Sequence, residues 1–251
     1  MDQKTCISAL ANEYRNLRTQ SAISTDSVSL EGIGVVDTTR IRSLLTAKTI
    51  PLPKGGPFDI VRSDMGETLA YIMLEQNYNT QIGYKSVRDR ELIQLPGRGI
   101  DIVGIENGDS LTLLLGEAKV SDEGRNPPRV VDYNEDSISN QLIKHIENHE
   151  ETSKKVWDIT RRISDHVVWQ LFVSAAIYWD QKMWSNLGVI CCGVLLRPLD
   201  KYNEQDFGIL REKPELVAPA KIRFLIFCFE GDLEKTVSEF YVSAKTGEEE
   251  L

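Results

Sequence analysis

The chain has 251 residues, 41% of them hydrophobic and 27% charged, with a net charge of −9. That balance fits an ordinary soluble protein, with room for one large α/β domain or a core carrying a helical extension. No apolar run approaches the roughly 18–20 residues a membrane span needs, and the acidic pI near 5.0 is unlike that of an autonomous nucleic-acid binder, which would need a local basic patch or a helping partner.

The N-terminus, MDQKTCISALANEYRNLRTQ, lacks the apolar core of a signal peptide, so a cytoplasmic location is expected. Ile7, Leu10 and Ala11 recur at helical spacing and predict a helix over 4–20. PLPKGGP at 51–57 is the clearest breaker and sets the end of an N-terminal extension, 1–57. In SDMGETLAYIMLEQNYN, Asp64 followed by Glu67 reads as a capping box, and Leu69, Ile72 and Met73 form a stripe; a helix is expected at about 65–78. Residues 82–88 suit a strand. GIDIVGIE (99–106) alternates as a strand should, NGD follows as a turn, and SLTLLLGEAKV is the second arm of a hairpin. A polar loop with Pro127 and Pro128 follows, then a helical pattern from Ser137 to about Lys182 comprising two or more helices. GVICCGVLL (188–196) and IRFLIFCFE (222–230) are continuous apolar runs typical of strands covered on both faces. DLEKTVSEFYVSAK is a closing helix, and 246–251 is an acidic tail. The expected fold is α/β (α+β): a mixed central sheet flanked by helices, occupying 58–245.

Of the four cysteines, none forms a CxxC pair; Cys191, Cys192 and Cys228 sit in apolar runs and read as small buried hydrophobes rather than zinc ligands or disulfides.

The charges on the hairpin stand out. Glu117 and Lys119 end the apolar run LTLLLG, and residues two apart on a strand share a face. Antiparallel arms bring the start of one strand to the end of the other, so Asp101 can join them. A two-residue turn at Asn107-Gly108 would pair Asp101 with Leu114, on the face opposite Glu117. A three-residue loop at 107–109 pairs it with Leu115 and sets Glu117 diagonally beside it. Convergence therefore requires a three- or five-residue loop, or a bulge near Gly99 or Gly116. Two converging carboxylates offer hard oxygen ligands suited to Mg²⁺ or Mn²⁺, and Lys119 can orient a water or stabilise developing negative charge. That apparatus suits phosphodiester hydrolysis. The competing account is a structural ion pair at a strand end.

Gly99-Ile100-Asp101 followed by Glu117-Ala118-Lys119 after an apolar strand resembles the PD-(D/E)xK nuclease superfamily, and Glu117-Ala118-Lys119 is the one Glu-x-Lys in the chain. No proline precedes Asp101, a departure common in that superfamily. The resemblance implies a restriction-endonuclease-like core, with Glu67 as a helical acidic ligand beside Asp101 and Glu117, and Gln141 as an accessory catalytic residue with Lys144 one turn on. By motif it covers residues 64–146. GETLAYIMLE, the Lys85 strand, GRGIDIVGIE and LLLGEAKVS are further similar to the nuclease subunit of Hachiman-type anti-phage defence, which implies DNA as substrate and a helicase partner.

Arg88, Arg90, Arg98, Arg125 and Arg129 flank the hairpin and its exit loop and can contact phosphates. His145 and His149 form an i, i+4 pair, but no Glu follows His145, so HExxH fails and a solvated helix face is the better reading. Trp157, Trp169, Trp179 and Trp184 read as packing residues rather than base-stacking platforms. The main alternatives to a nuclease are a catalytically silent nucleic-acid or partner-binding module on the same fold, and a structural interaction protein without metal affinity.

Overall fold

The computed structural model describes residues 2–19, 27–30, 34–54, 59–89 and 99–246. The elements run α1 (Gln3–Thr19), β1 (Ser27–Leu30), β2 (Gly34–Asp37), α2 (Thr38–Thr49), α3 (Ile60–Tyr78), β3 (Gln81–Lys85), α4 (Ser86–Asp89), β4 (Ile102–Asn107), β5 (Leu111–Val120), α5 (Arg129–Asp132), α6 (Ile138–Glu147), α7 (His149–Thr160), α8 (His166–Asp180), β6 (Gly188–Pro198), α9 (Ile209–Glu212), β7 (Lys221–Phe229) and α10 (Leu233–Thr246). Short 3-10 turns at Leu199–Lys201, Glu204–Phe207 and Pro214–Val217 link β6 to β7. The small hairpin β1–β2 and α2 lie in a stretch with no clear periodicity in the sequence.

The main sheet has the order β3-β4-β5-β6-β7. The first three strands are antiparallel; β5, β6 and β7 are parallel. A parallel step needs a long crossover, and α5–α8 supply it between β5 and β6. One face of the sheet is covered by α1, α3 and α10 around Leu114, Ala118, Val120, Cys192, Val194 and Leu196. The other face carries Leu113, Leu115 and Val189 under α7 and α8, and Cys191 and Leu195 under α6. The mixed sheet flanked by helices is therefore as expected. Helix α1 belongs to the same core as α3 and α10, with Tyr14 and Arg18 both bonded to the buried Asp64.

Helix α3 begins five residues earlier than the sequence suggested. Asp59, two residues after the breaker, is the N-cap, and its carboxylate accepts from the backbone N–H of Val61 and Arg62. Such a cap is worth about 1 kcal/mol. Asp64 is thus buried inside the helix, and the apparent capping box with Glu67 does not exist. Helix α6 starts where Ser137 accepts from the N–H of Asn140. Cys191 and Cys192 are buried, but Cys228 is exposed, because β7 is the edge of the sheet. Its apolar run is covered less completely than that of β6, which has a strand on either side. Residues 247–251 of the acidic tail lie outside the described residues.

Candidate active site

The hairpin register decides whether the charges meet. Asn107 pairs with Leu111 and Ile102 with Gly116, leaving a three-residue loop at 108–110, one place later than expected. Extending that register by one residue sets Asp101 directly opposite Glu117, on the same face of the sheet. Asp101 sits just before β4, where the strand leaves the sheet, and its Oδ2 accepts the backbone N–H of Ala118 at 3.2 Å. Asp101 and Glu117 are both buried, at 8% and 1% exposure.

The two carboxyl groups interact directly, and burial raises both. Burial, then the charge of Glu117, pushes the Asp101 carboxyl up to about 8, while Lys119 pulls the other way. Burial also raises Glu117, again against Lys119. Lys119 Nζ lies 3.7 Å from Glu117 Oε2. Burial works against its charge, yet Asp101, Glu117, Asp136 and Glu67 together hold the ammonium above its ordinary range.

Glu67 reaches the cluster from α3. It is buried, and its Oε2 accepts from Tyr71 Oη at 3.1 Å and from Ser86 Oγ. Its charge acts on both Glu117 and Lys119. Four carboxylates and one lysine thus influence one small region.

The sequence reading missed His145. Its Nε2 lies 2.7 Å from Glu117 Oε1, and both side chains are nearly fully buried. Burial, helped by Lys144 and Lys119 and opposed by Asp101 and Glu151, pushes the imidazole down to about 4. The contact has hydrogen-bond spacing, and burial favours the neutral imidazole in it. The solvated-face reading of the two histidines is overturned. They lie on different helices, α6 and α7, and His149 Nε2 bonds the backbone oxygen of Trp179. The HExxH test looked for a nearby partner, whereas that of His145 is 28 residues away.

Gln141, one turn before His145, donates its amide to the backbone oxygen of Glu135 at 2.8 Å, steadying the loop before α6. Lys144 is exposed on α6. Arg125 stacks over the exposed ring of Tyr133 at 4.1 Å. Arg129 is largely exposed, 3.7 Å from Glu123. Arg88 pairs with Asp89, while Arg90 and Arg98 lie outside the described residues. Of the tryptophans, Trp179 is buried and Trp169 is 39% exposed.

As they stand, no three His, Cys, Asp or Glu side chains among the described residues are grouped to hold a metal ion. The chemistry of the donors still fits a divalent cation. Two buried carboxyl groups brought together resist ionising side by side. A hard cation would offset both negative charges. A cleft of about 800 Å³ lies instead beyond the carboxyl ends of β5, β6 and β7. Asp122, Asp200, Glu230 and Asp232 line it, a poor surface for a phosphate backbone.

A family model described as HamA matches residues 2–244. The chain belongs to the HamA family. HamA is a component of Hachiman anti-phage defence. The match runs from α1 to α10 and includes every described residue of the site. No curated protein and no solved structure matches the chain. Among the described residues, no helix is long and apolar enough to cross a membrane.

Proposed function

We propose that this HamA-family chain is a metal-dependent nuclease of the PD-(D/E)xK type, hydrolysing DNA phosphodiester bonds as the effector of Hachiman defence together with a helicase partner. The observation that carries the reading is the pairing of Asp101 with Glu117 across the open end of the hairpin, with Lys119 on the same face. A purely structural ion pair has no use for a second buried carboxyl.

Asp101 and Glu117 would hold Mg²⁺ or Mn²⁺, with Glu67 acting on the same region from α3. When bound, the metal supplies Lewis acidity toward a phosphate oxygen and lowers the pKa of a water. Lys119, whose ammonium form the surrounding carboxylates favour, would donate hydrogen bonds and stabilise negative charge growing on phosphate. Arg125, Arg129 and Lys144 on the outer rim contribute charge that the acidic chain otherwise lacks, and a helicase that grips DNA would supply the remaining affinity.

The test is cleavage of plasmid and linear DNA by purified protein with Mg²⁺ or Mn²⁺. EDTA and the Glu117→Ala/Lys119→Ala double variant serve as controls. Metal-dependent cutting that the double variant lacks supports the reading. A silent module on the same fold is favoured by one observation, the lack of a third grouped donor among the described residues. It predicts a folded protein that binds no Mn²⁺ and cuts nothing even with the helicase present.

A further inference from the structure

We propose that His145 is a positioning residue, whose imidazole fixes the orientation of the Glu117 carboxylate and so makes α6 a structural part of the site. Its catalytic consequence rests on the nuclease reading; the contact itself does not.

A glutamate side chain turns about three bonds, and a lysine 3.7 Å away from one oxygen does not fix it. The N–H of His145, 2.7 Å from Oε1, supplies the close directional bond. The two oxygens are then assigned separately: Oε1 faces α6 and Oε2 faces Lys119. The side chains of Glu117 and His145 keep only 2% and 7% exposure, so no solvent contact competes strongly for that bond.

His145 is itself held. The backbone oxygen of His145 accepts Thr152 Oγ1 at 2.6 Å, across the joint between α6 and α7. Asn148 ends α6 and begins α7. The next residue, His149, bonds the backbone oxygen of Trp179 at 2.8 Å and stacks on the ring of that residue, a buried side chain of α8. The joint is thus anchored to a third helix. Gln141 does not share the task, because its amide is bonded to Glu135. For a Glu117 carboxylate to be held this way, the imidazole proton must sit on Nε2.

Two measurements test this. The first is nitrogen-15 NMR of the histidine rings in metal-free protein. We expect His145 as the Nε2–H tautomer, with a ring proton protected from exchange and a signal that moves in Glu117→Gln. An Nδ1–H tautomer, or a ring proton exchanging freely with water, overturns the proposal. The second uses His145→Phe, which keeps ring volume without a donor, and His145→Gln, which returns an N–H at similar reach. Once folding is checked by thermal melting, we expect His145→Phe to lose roughly 10- to 100-fold in Mn²⁺ affinity. We also expect kcat to fall with KM for DNA unchanged, and His145→Gln to recover part of both losses. A folded His145→Phe protein with wild-type Mn²⁺ affinity and kcat sinks the positioning role. If the wild-type chain binds no Mn²⁺ and cuts nothing, the nuclease reading fails, and the NMR result still decides the contact.

Discussion

Neighbouring strands end in two buried ionic clusters of opposite character. At the end of β6, Arg197 and Asp206 are both wholly buried and 2.9 Å apart, one positive charge against one negative. Arg197 also donates to the backbone oxygens of Lys201, Glu123 and Arg125 and to Asn126 Oδ1. At the end of β5, Lys119 faces Asp101 and Glu117 together, one cation against two buried carboxyl groups. The first cluster is balanced and fastens the exit loop of the hairpin to the sheet. The second carries an unmet demand for positive charge. Burial is common to both; the charge imbalance is what sets the second cluster apart from a fastener.

The sharpest contrast should come from removing the cation of each. Lys119→Ala should lower the rate of DNA cleavage by roughly 100- to 1,000-fold or more while the protein stays folded, measured by initial rates and circular dichroism. Arg197→Ala should instead cost about 3–5 kcal/mol of stability, read from urea unfolding, because Asp206 is left buried and unpaired. Equal stability losses in the two variants would erase the distinction.

Metal should act on one cluster only. Mg²⁺ at 100 times its dissociation constant should stabilise the protein by about 2.7 kcal/mol, and EDTA should reverse the gain. Glu117→Ala should show no such gain in a thermal scan.

A subtler difference is pH dependence without metal. The folded pKa of Asp101, about 8, lies above its unfolded value near 3.8, so the folded chain binds that proton more tightly. Its contribution to stability is complete below the unfolded value and is lost as pH rises through about 8. Asp101→Asn should therefore inactivate the protein yet melt a few degrees higher than wild type at pH 9, at about 2–4 °C per kcal/mol. A melting point below wild type would contradict the raised pKa of Asp101.

The smallest effect is expected on the rim. Arg129→Ala should leave stability unchanged and reduce the salt slope of DNA binding by about 1, if that side chain meets a phosphate.

Much of this was legible because the hairpin obeys local rules. Alternation in GIDIVGIE, a short turn and the charged end of LTLLLGEAK mark the two strands, but pairing and face hung on the loop length, which only the register settles. Ser137 likewise marks the start of α6. The misreadings have equally physical causes. Two acidic residues compete as the cap of α3; the effective one, Asp59, stands two residues after the breaker and directly before Ile60 and Val61, a signal present in the sequence. The partner of His145 lies across the crossover, where no periodicity points. Exposure of Cys228 depends on strand order, which an apolar run does not reveal.

The edge formed by β7 carries its own consequence. The outer side of Lys221–Phe229 has no paired strand among the described residues, and no proline, bulge or central unpaired charge interrupts KIRFLIFCF; Arg223 is bonded to Glu106. Such an edge is a template for strand addition. Protein concentration, as much as temperature, will therefore govern how long purified chains stay monodisperse.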